Sequence, residues 1–173
     1  GLTKPSQLTQ KKYREQLPDS VVMLIKYKPA RLIPHDSIKK IEKKLIRFKG
    51  AKAKLVGGFL RKKPYSRDID VMLVSNKKSI LANYITYLET TFGHVHVYAH
   101  GSDKVSLIIE IAKNKYYKVD VFRSPLATQH AMLLYSTGSK RFNVRMRAIA
   151  KRHGYLLNQN GLFKLGKSGA PSK

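Results

Sequence analysis

The segment Gly57-Gly58-Phe59-Leu60-Arg61-Lys62-Lys63-Pro64-Tyr65-Ser66-Arg67-Asp68-Ile69-Asp70-Val71 constrains this chain more than any other. It sets two carboxylates two residues apart at the head of an apolar run, behind a glycine pair and a string of cations. Side chains at i and i+2 of a strand point to one face. Two carboxylates held side by side repel, and one pKa rises sharply unless a cation sits between them. A divalent metal carrying a polyphosphate is the usual reason to build such a pair. Only ten residues are acidic, against thirty-five lysines and arginines, so spending two of the ten on one face points to a site. The competing structural reading is strand-start turn chemistry, where Asp is common.

At 173 residues and 42% hydrophobic content, the chain can bury a core in one domain or two small ones. Cys is absent, which excludes disulfides and thiolate zinc sites and fits a reducing, intracellular compartment, nucleus or cytoplasm or a viral factory or virion. No secretory signal pattern and no bilayer-spanning apolar run is expected. The formal charge of +25 costs stability through self-repulsion and calls for an anionic partner. Nucleic acid is the first candidate and an acidic membrane surface the second. Nineteen cations fall in residues 1–67 and sixteen after them, so the charge is not a basic tail on a neutral domain.

The pattern along the chain predicts α+β architecture. Pro18-Asp19-Ser20 starts a short helix through Val21, Leu24 and Ile25, which Ile33-Pro34 breaks. Asp36 or Ser37 caps the next helix, where Ile38, Ile41, Leu45 and Ile46 form an apolar stripe. Its lysines are either a solvated face or phosphate contacts. Residues 53–56 read as a short strand ending at the glycine pair, and Ile69 to Val74 as a buried strand. Ser79 to Phe92 is helical. His94 to His100 alternates as a strand, and Val105 to Ile111 and Tyr116 to Phe122 are strands joined at Lys113-Asn114-Lys115. Leu126 to Tyr135 and Phe142 to His153 are helices interrupted at Thr137-Gly138-Ser139, and Asn160-Gly161 marks a tight turn. From Lys164 onward the tail reads as loose.

A third carboxylate, Asp120, lies within Tyr116 to Phe122 among apolar alternate neighbours, facing either solvent or a site. If that strand lies beside Ile69–Val74, three carboxylates converge. Three can bind two Mg²⁺ ions about 3.5–4 Å apart, a clamp that activates a hydroxyl and stabilises leaving pyrophosphate. The glycine pair gives backbone freedom and close approach to phosphate, or is simply a turn. Arg61 is either a bidentate phosphate ligand or surface charge.

These residues carry a resemblance. Gly57-Gly58-Phe59-Leu60-Arg61, Asp68-Ile69-Asp70 and then Asp120 resemble the nucleotidyltransferase palm of family X DNA polymerases. Tyr135-Ser136-Thr137-Gly138-Ser139, followed by Phe142-Asn143 and Met146-Arg147-Ala148, resembles the junction to that family's thumb; Asn158 to Phe163 and Leu32-Ile33-Pro34 also resemble family segments. The compactness and basicity are similar to the reduced polymerases X of large DNA viruses. The resemblance spans roughly residues 20–163. It implies a helical segment over 1–34, a palm over 35–134 with a mixed sheet flanked by helices, a small helical thumb over 135–163, and a flexible tail over 164–173.

The resemblance also implies roles. Asp68, Asp70 and Asp120 would be catalytic and bind two Mg²⁺ ions, or Mn²⁺, with Asp120 beside the primer 3′-hydroxyl. Gly57, Gly58, Arg61, Arg67, Tyr135, Gly138, Ser139 and Asn143 would bind the nucleotide. Lys140, Arg141 and Arg147 would contact nucleic acid. The partners implied are gapped or primer-template DNA and deoxynucleoside triphosphates, for a monomer that needs no membrane. The function implied is DNA-directed DNA polymerase, filling short gaps in repair. A template-independent or RNA-directed nucleotidyltransferase, and a non-catalytic nucleic-acid-binding module on a degenerate palm, are the alternatives.

The chain departs from the family pattern around the triphosphate. Gly58 stands for a Ser, Leu32 for an Arg, Leu60 for one of two Args, Arg67 for a Gly and Ser136 for an aromatic. These changes bear on nucleotide affinity and sugar selection more than on metal chemistry. No amino-terminal lyase domain is expected, and the sequence reads as a fragment or a very reduced enzyme. His94 and His96 share a strand face as imidazole metal ligands do, yet no carboxylate or Cys nearby in sequence completes a zinc set. Of the adjacent Tyr116 and Tyr117, one belongs to the core.

Overall fold

The computed structural model describes Glu15 and residues 17–166, so the polar opening stretch and the end of the loose tail lie outside the described residues. Helix α1 (Asp19–Tyr27) starts after Pro18, with Asp19 in its first turn and Lys26 in its last, both placed to suit the helix dipole. Strand β1 (Ile33–Pro34) leads directly into α2 (His35–Ile46). Neither Asp36 nor Ser37 caps α2, as the sequence suggested. Pro34 takes the N-cap position, because β1 pairs with β3 (Tyr65–Ser66) and the His35 N–H is claimed by the Pro64 carbonyl at 2.9 Å.

The central sheet has five strands: β2 (Lys52–Leu55), β4 (Ile69–Val74), β5 (Val95–His100), β6 (Lys104–Ala112) and β7 (Lys115–Ser124). Their order is β2-β4-β7-β6-β5. The pair β4–β7 is parallel and the other pairs are antiparallel, so the sheet is mixed. Helix α3 (Gly57–Leu60) is a single turn between β2 and β3, and α4 (Ile80–Phe92) opens the crossover from β4 towards β7.

One face of the sheet holds the main core. Val71, Leu73, Val119, Val121, Leu107 and Ile109 pack against Ile38 and Leu45 of α2 and against Leu81, Tyr84 and Leu88 of α4. Burying each such side chain contributes about 1.5–3 kcal/mol. The sheet is therefore held mainly from one side, and much of its other face is free for polar residues. Tyr117 points into this core and Tyr116 does not, as expected of adjacent strand residues. On the second face a smaller cluster, Val56, Met72, Val74 and Met132, anchors helix α5 (Gln129–Thr137). A 3₁₀ turn over Leu126–Thr128 replaces the start of the helix expected from Leu126. Arg123 is buried. It bonds to Asp103 and to the Ser75 carbonyl, tying the end of β7 to the approach to β6 and the loop after β4.

Beyond α5 the chain turns at Gly138 into α6 (Lys140–Arg152). It ends in a hairpin of β8 (Tyr155–Asn158) and β9 (Gly161–Lys164) around the Asn160-Gly161 turn. The turn was legible in the sequence; its two short strands were not. Among the described residues no helix is long and apolar enough to cross a membrane.

A buried polar bond joins the two helices of the core. The Tyr84 hydroxyl donates to the Leu45 carbonyl at 2.7 Å, near the end of α2. Tyr84→Phe leaves that carbonyl unpaired in the core and should cost about 1–3 kcal/mol. Urea denaturation reads this as a lower midpoint with an unchanged slope; an unchanged midpoint would contradict it.

Candidate active site

The parallel pairing of β4 with β7 sets Asp70 directly beside Asp120. Paired residues of neighbouring strands share a face, so both carboxylates stand on the side of the sheet away from the main core. Asp68 precedes β4 and shares the electrostatic neighbourhood of Asp70. Burial, reinforced by the charges of Asp68 and Asp120 and opposed by those of Lys104 and Arg61, pushes the Asp70 carboxyl up to about 7.

Glycine is required beside this group. Gly57 has φ +62°, and a Cβ there would land on the Asp70 carboxylate. The Val56 N–H donates to the Asp70 carbonyl at 2.9 Å, which clamps the glycine turn to β4. At Gly58 a Cβ would crowd the Ser66 hydroxyl, whose oxygen is buried without a hydrogen-bond partner among the described residues.

Asp120 is engaged on both oxygens. Ser106 Oγ donates to one at 2.6 Å and Lys104 Nζ to the other at 2.7 Å. Both donors sit on β6, and Ser106 is the register partner of Asp120. The donors offered by the three aspartates are hard carboxylate oxygens crowded by their own repulsion, which fits a divalent cation such as Mg²⁺. In the conformation described, no group of three His, Asp or Glu side chains among the described residues is arranged to hold a metal ion. Lys104 supplies the positive charge at Asp120, and a metal ion there would have to displace it.

The opposite wall comes from the α5–α6 corner. Gly138 turns the chain with φ +68°, and Arg61 Nη1 donates to the Thr137 carbonyl, joining the glycine-pair loop to this corner. The Ser139 hydroxyl caps α6 by accepting from the Phe142 N–H at 3.3 Å. Asn143 Nδ2 donates to the Tyr135 carbonyl at 2.7 Å, and the Arg147 guanidinium lies over the Tyr135 ring at 5.3 Å. Between the two walls lies a cavity of about 870 Å³.

Ten of the residues singled out in the sequence for nucleotide or nucleic-acid contact can be placed against this cavity. Gly57, Gly58, Arg61, Arg67, Tyr135, Gly138, Ser139, Asn143, Lys140 and Arg147 all line it, with Asp68 and Asp70. Asp120 stands beside Asp70 behind the Lys104 side chain and does not itself line the cavity; Arg141 is exposed and does not line it either. The sequence reading missed Lys104, Ser106, Lys63 and Phe122. Strand alternation identifies Lys104 and Ser106 as outward residues, but only the pairing of β6 with β7 brings them to Asp120. His94 Nδ1 bonds to Glu110 at 2.9 Å, and His96 stacks on Tyr27 at 3.9 Å. Burial, reinforced by nearby Lys26, lowers the His96 pKa.

The chain is similar in sequence and fold to several known proteins. Residues 132–172 match the DNA polymerase beta thumb family. The repair DNA polymerase X of African swine fever virus is 30% identical over 109 residues in a South African tick isolate, covering 63% of this chain and 62% of that protein. The same protein from a Namibian warthog isolate is 29% identical over the same length. The chain thus spans less than two thirds of these viral relatives. The crystal structure of Leishmania infantum polymerase beta in a ternary P/T complex superposes with a TM-score of 0.84 at 26% identity, covering 100% of this chain and 78% of that one. A ternary gap complex of the same polymerase gives 0.82 at 27% identity, with 96% and 63% covered. The thumb match, the viral relatives and the shared fold are each likenesses to DNA polymerases of one family, family X.

The raised Asp70 pKa has a signed consequence for stability. The folded state holds the proton more tightly than the unfolded chain, whose carboxyl titrates near 3.8. Without metal, stability from this group is therefore full below about pH 4 and is lost as pH rises through about 7. Asp70→Asn should melt higher than the parent at about pH 8 in chelator, by an amount worth at most ~4 kcal/mol, and the gap should close towards about pH 4. A gap that does not change with pH would contradict the buried, like-charged setting of Asp70.

Proposed function

We propose that this chain is a family X DNA-directed DNA polymerase, adding deoxynucleotides to a primer 3′-hydroxyl and filling short gaps in repair. The observation that carries the reading is the in-register pair Asp70 and Asp120, with Asp68, opposite a wall built from Tyr135, Asn143 and Arg147. Its whole-protein activity and substrates are inferred, since the viral relatives are matched over part of their length.

Asp68, Asp70 and Asp120 would hold two divalent ions, Mg²⁺ or Mn²⁺. Those ions supply Lewis-acid stabilisation of charge on the transferring phosphoryl group and its leaving pyrophosphate. The chain's own groups do the rest. The 3′-oxygen forms the new bond to the α-phosphorus, pyrophosphate departs, and the hydroxyl proton passes to the Asp120 carboxylate as general base. Ser106, at 2.6 Å, fixes the rotamer of that carboxylate. Arg61 spends one N–H on Thr137 and keeps other guanidinium donors for triphosphate oxygens. The backbone at Gly57 and Gly58 admits phosphate closely, because neither carries a Cβ. Tyr135 and the Gly138-Ser139 backbone would pack on the nucleotide sugar. Asn143 would face the minor-groove edge of the incoming base, with Lys140 and Arg147 near the template strand.

A second reading, nucleotide transfer that ignores the template, is favoured by one feature. Leu32 lines the cavity at 54% exposure where an arginine would hold phosphate, which loosens the grip on the incoming nucleotide.

Primer extension on gapped DNA decides between them. Asp120→Ala should lower Mg²⁺-dependent addition by at least ~100-fold while DNA affinity stays within about twofold of the parent. The parent should add the complementary nucleotide opposite each template base. Full activity of Asp120→Ala would overturn the mechanism, and equal addition regardless of template would favour the second reading.

A further inference from the structure

The row of paired residues that carries Asp70 and Asp120 continues across the sheet to a tyrosine that the chemistry above leaves unused. Asp70 pairs with Asp120, and Asp120 with Ser106 of β6. On β5 the register slips by one residue: Val97 pairs with Leu107 and Ala99 with Ser106, so Tyr98 is the extra residue of a β-bulge. Bulges beside active sites re-aim a side chain. Here two residues, Tyr98 and Ala99, stand opposite Ser106, and only Tyr98 has a polar side-chain group to offer it.

Tyr98 is half-buried and shares a side-chain hydrogen bond with Ser106. The direction of that bond follows from counting protons. A serine hydroxyl has one hydrogen, and the buried Ser106 donates it to Asp120 Oδ1 at 2.6 Å. The Tyr98 hydroxyl is therefore the donor to Ser106 Oγ. Burial, reinforced by the Asp120 charge, raises the Tyr98 pKa, so the hydroxyl keeps its proton and stays a donor. The main core does not claim this side chain: Val95 and Val97 are the β5 residues packed on it. The bonds thus run one way, from Tyr98 to Ser106 to Asp120, and bonds in such a chain polarise one another.

We propose that Tyr98 is a positioning residue for Asp120: by donating to Ser106 it holds the serine hydrogen on Oδ1 and fixes the orientation of the carboxylate. Oδ2 carries Lys104, which lines the active-site cavity, so it is the oxygen left to take up an ion or the 3′-hydroxyl proton. The proposal rests on the polymerase reading, in which Asp120 accepts that proton. Tyr98 touches neither substrate nor ion and acts only through Ser106. Without its hydroxyl, Ser106 Oγ loses the bond that sets its rotation, and Asp120 loses its fixed geometry.

Single-turnover addition of the complementary nucleotide to gapped DNA in Mg²⁺ tests this. Tyr98→Phe keeps the ring and removes the hydroxyl. It should slow the addition step at least ~3-fold, the worth of one neutral hydrogen bond, with the nucleotide and DNA dissociation constants unchanged. Ser106→Ala should slow it about 10-fold. Tyr98→Phe added to Ser106→Ala should cost nothing further, because the tyrosine then has nothing to act through. An unchanged rate in Tyr98→Phe, an equal loss in both backgrounds, or a loss that falls on nucleotide or DNA binding would overturn the proposal. Mn²⁺ alone, titrated by the resonance signal of the free ion, gives a readout without turnover. Tyr98→Phe should bind it at least ~3-fold more weakly than the parent, and the double variant no more weakly than Ser106→Ala. Equal Mn²⁺ binding by Tyr98→Phe and the parent would also overturn the proposal. Failure of the parent to add nucleotides, with this metal pattern intact, sinks the polymerase reading and leaves Tyr98 in place behind Asp120.

Discussion

Two carboxylates placed side by side by a parallel strand pair are the constraint around which this molecule is arranged. Asp70 and Asp120 are register partners in β4 and β7, the parallel pair of the central sheet. Their repulsion, added to burial, drives the Asp70 carboxyl far above its ordinary range. The chain tolerates this because stability comes mostly from the other side of the sheet, where α2 and α4 cover the apolar face. Lys104 and Ser106 meet the cost at Asp120, and Gly57 vacates the space that the Asp70 carboxylate occupies. Each accommodation is local, and together they hold a clustered negative charge inside a chain of net charge +25.

The acids face a wall that belongs to another part of the chain, and one side chain joins the two. Arg61 leaves the glycine-pair loop and binds the Thr137 carbonyl at the end of α5. Gly138 can accept that approach only because it lacks a side chain: a Cβ there would come within 3.0 Å of the guanidinium. The corner then orders itself. Ser139 caps α6, Asn143 reaches back to Tyr135, and Arg147 covers the Tyr135 ring. Outward from this centre the surface is basic, through Arg67 and Lys118 to the loop after α1. Part of the charge excess therefore lines the cavity and a groove beside it.

Much of this was legible in the sequence, and what was not has physical reasons. Asp68 and Asp70 stand out because a spacing of two on a strand means one face. Asp120 stands out because its strand alternates, so its side is known even when its neighbour is not. Lys104 and Ser106 were hidden by a register shift between Glu110 and Ala112 in the β6–β7 hairpin. Counting straight back from the Ala112–Lys115 pair would set Asp120 against the inward-facing Leu107; the irregularity sets it against Ser106. The α2 start was misread because Pro34 is drawn into a strand pair with Tyr65, a tertiary contact that outranks a local cap. The contact of Asn143 with Tyr135 crosses a turn whose geometry Gly138 alone does not determine.

Uptake of Mn²⁺ by the resting protein, followed by the loss of the free-ion electron paramagnetic resonance signal, tests the central claim most directly. If the in-register carboxylates form a divalent-cation site, the parent should bind Mn²⁺, and Asp70→Asn should bind it at least ~10-fold more weakly. Equal uptake by the two proteins would contradict the account.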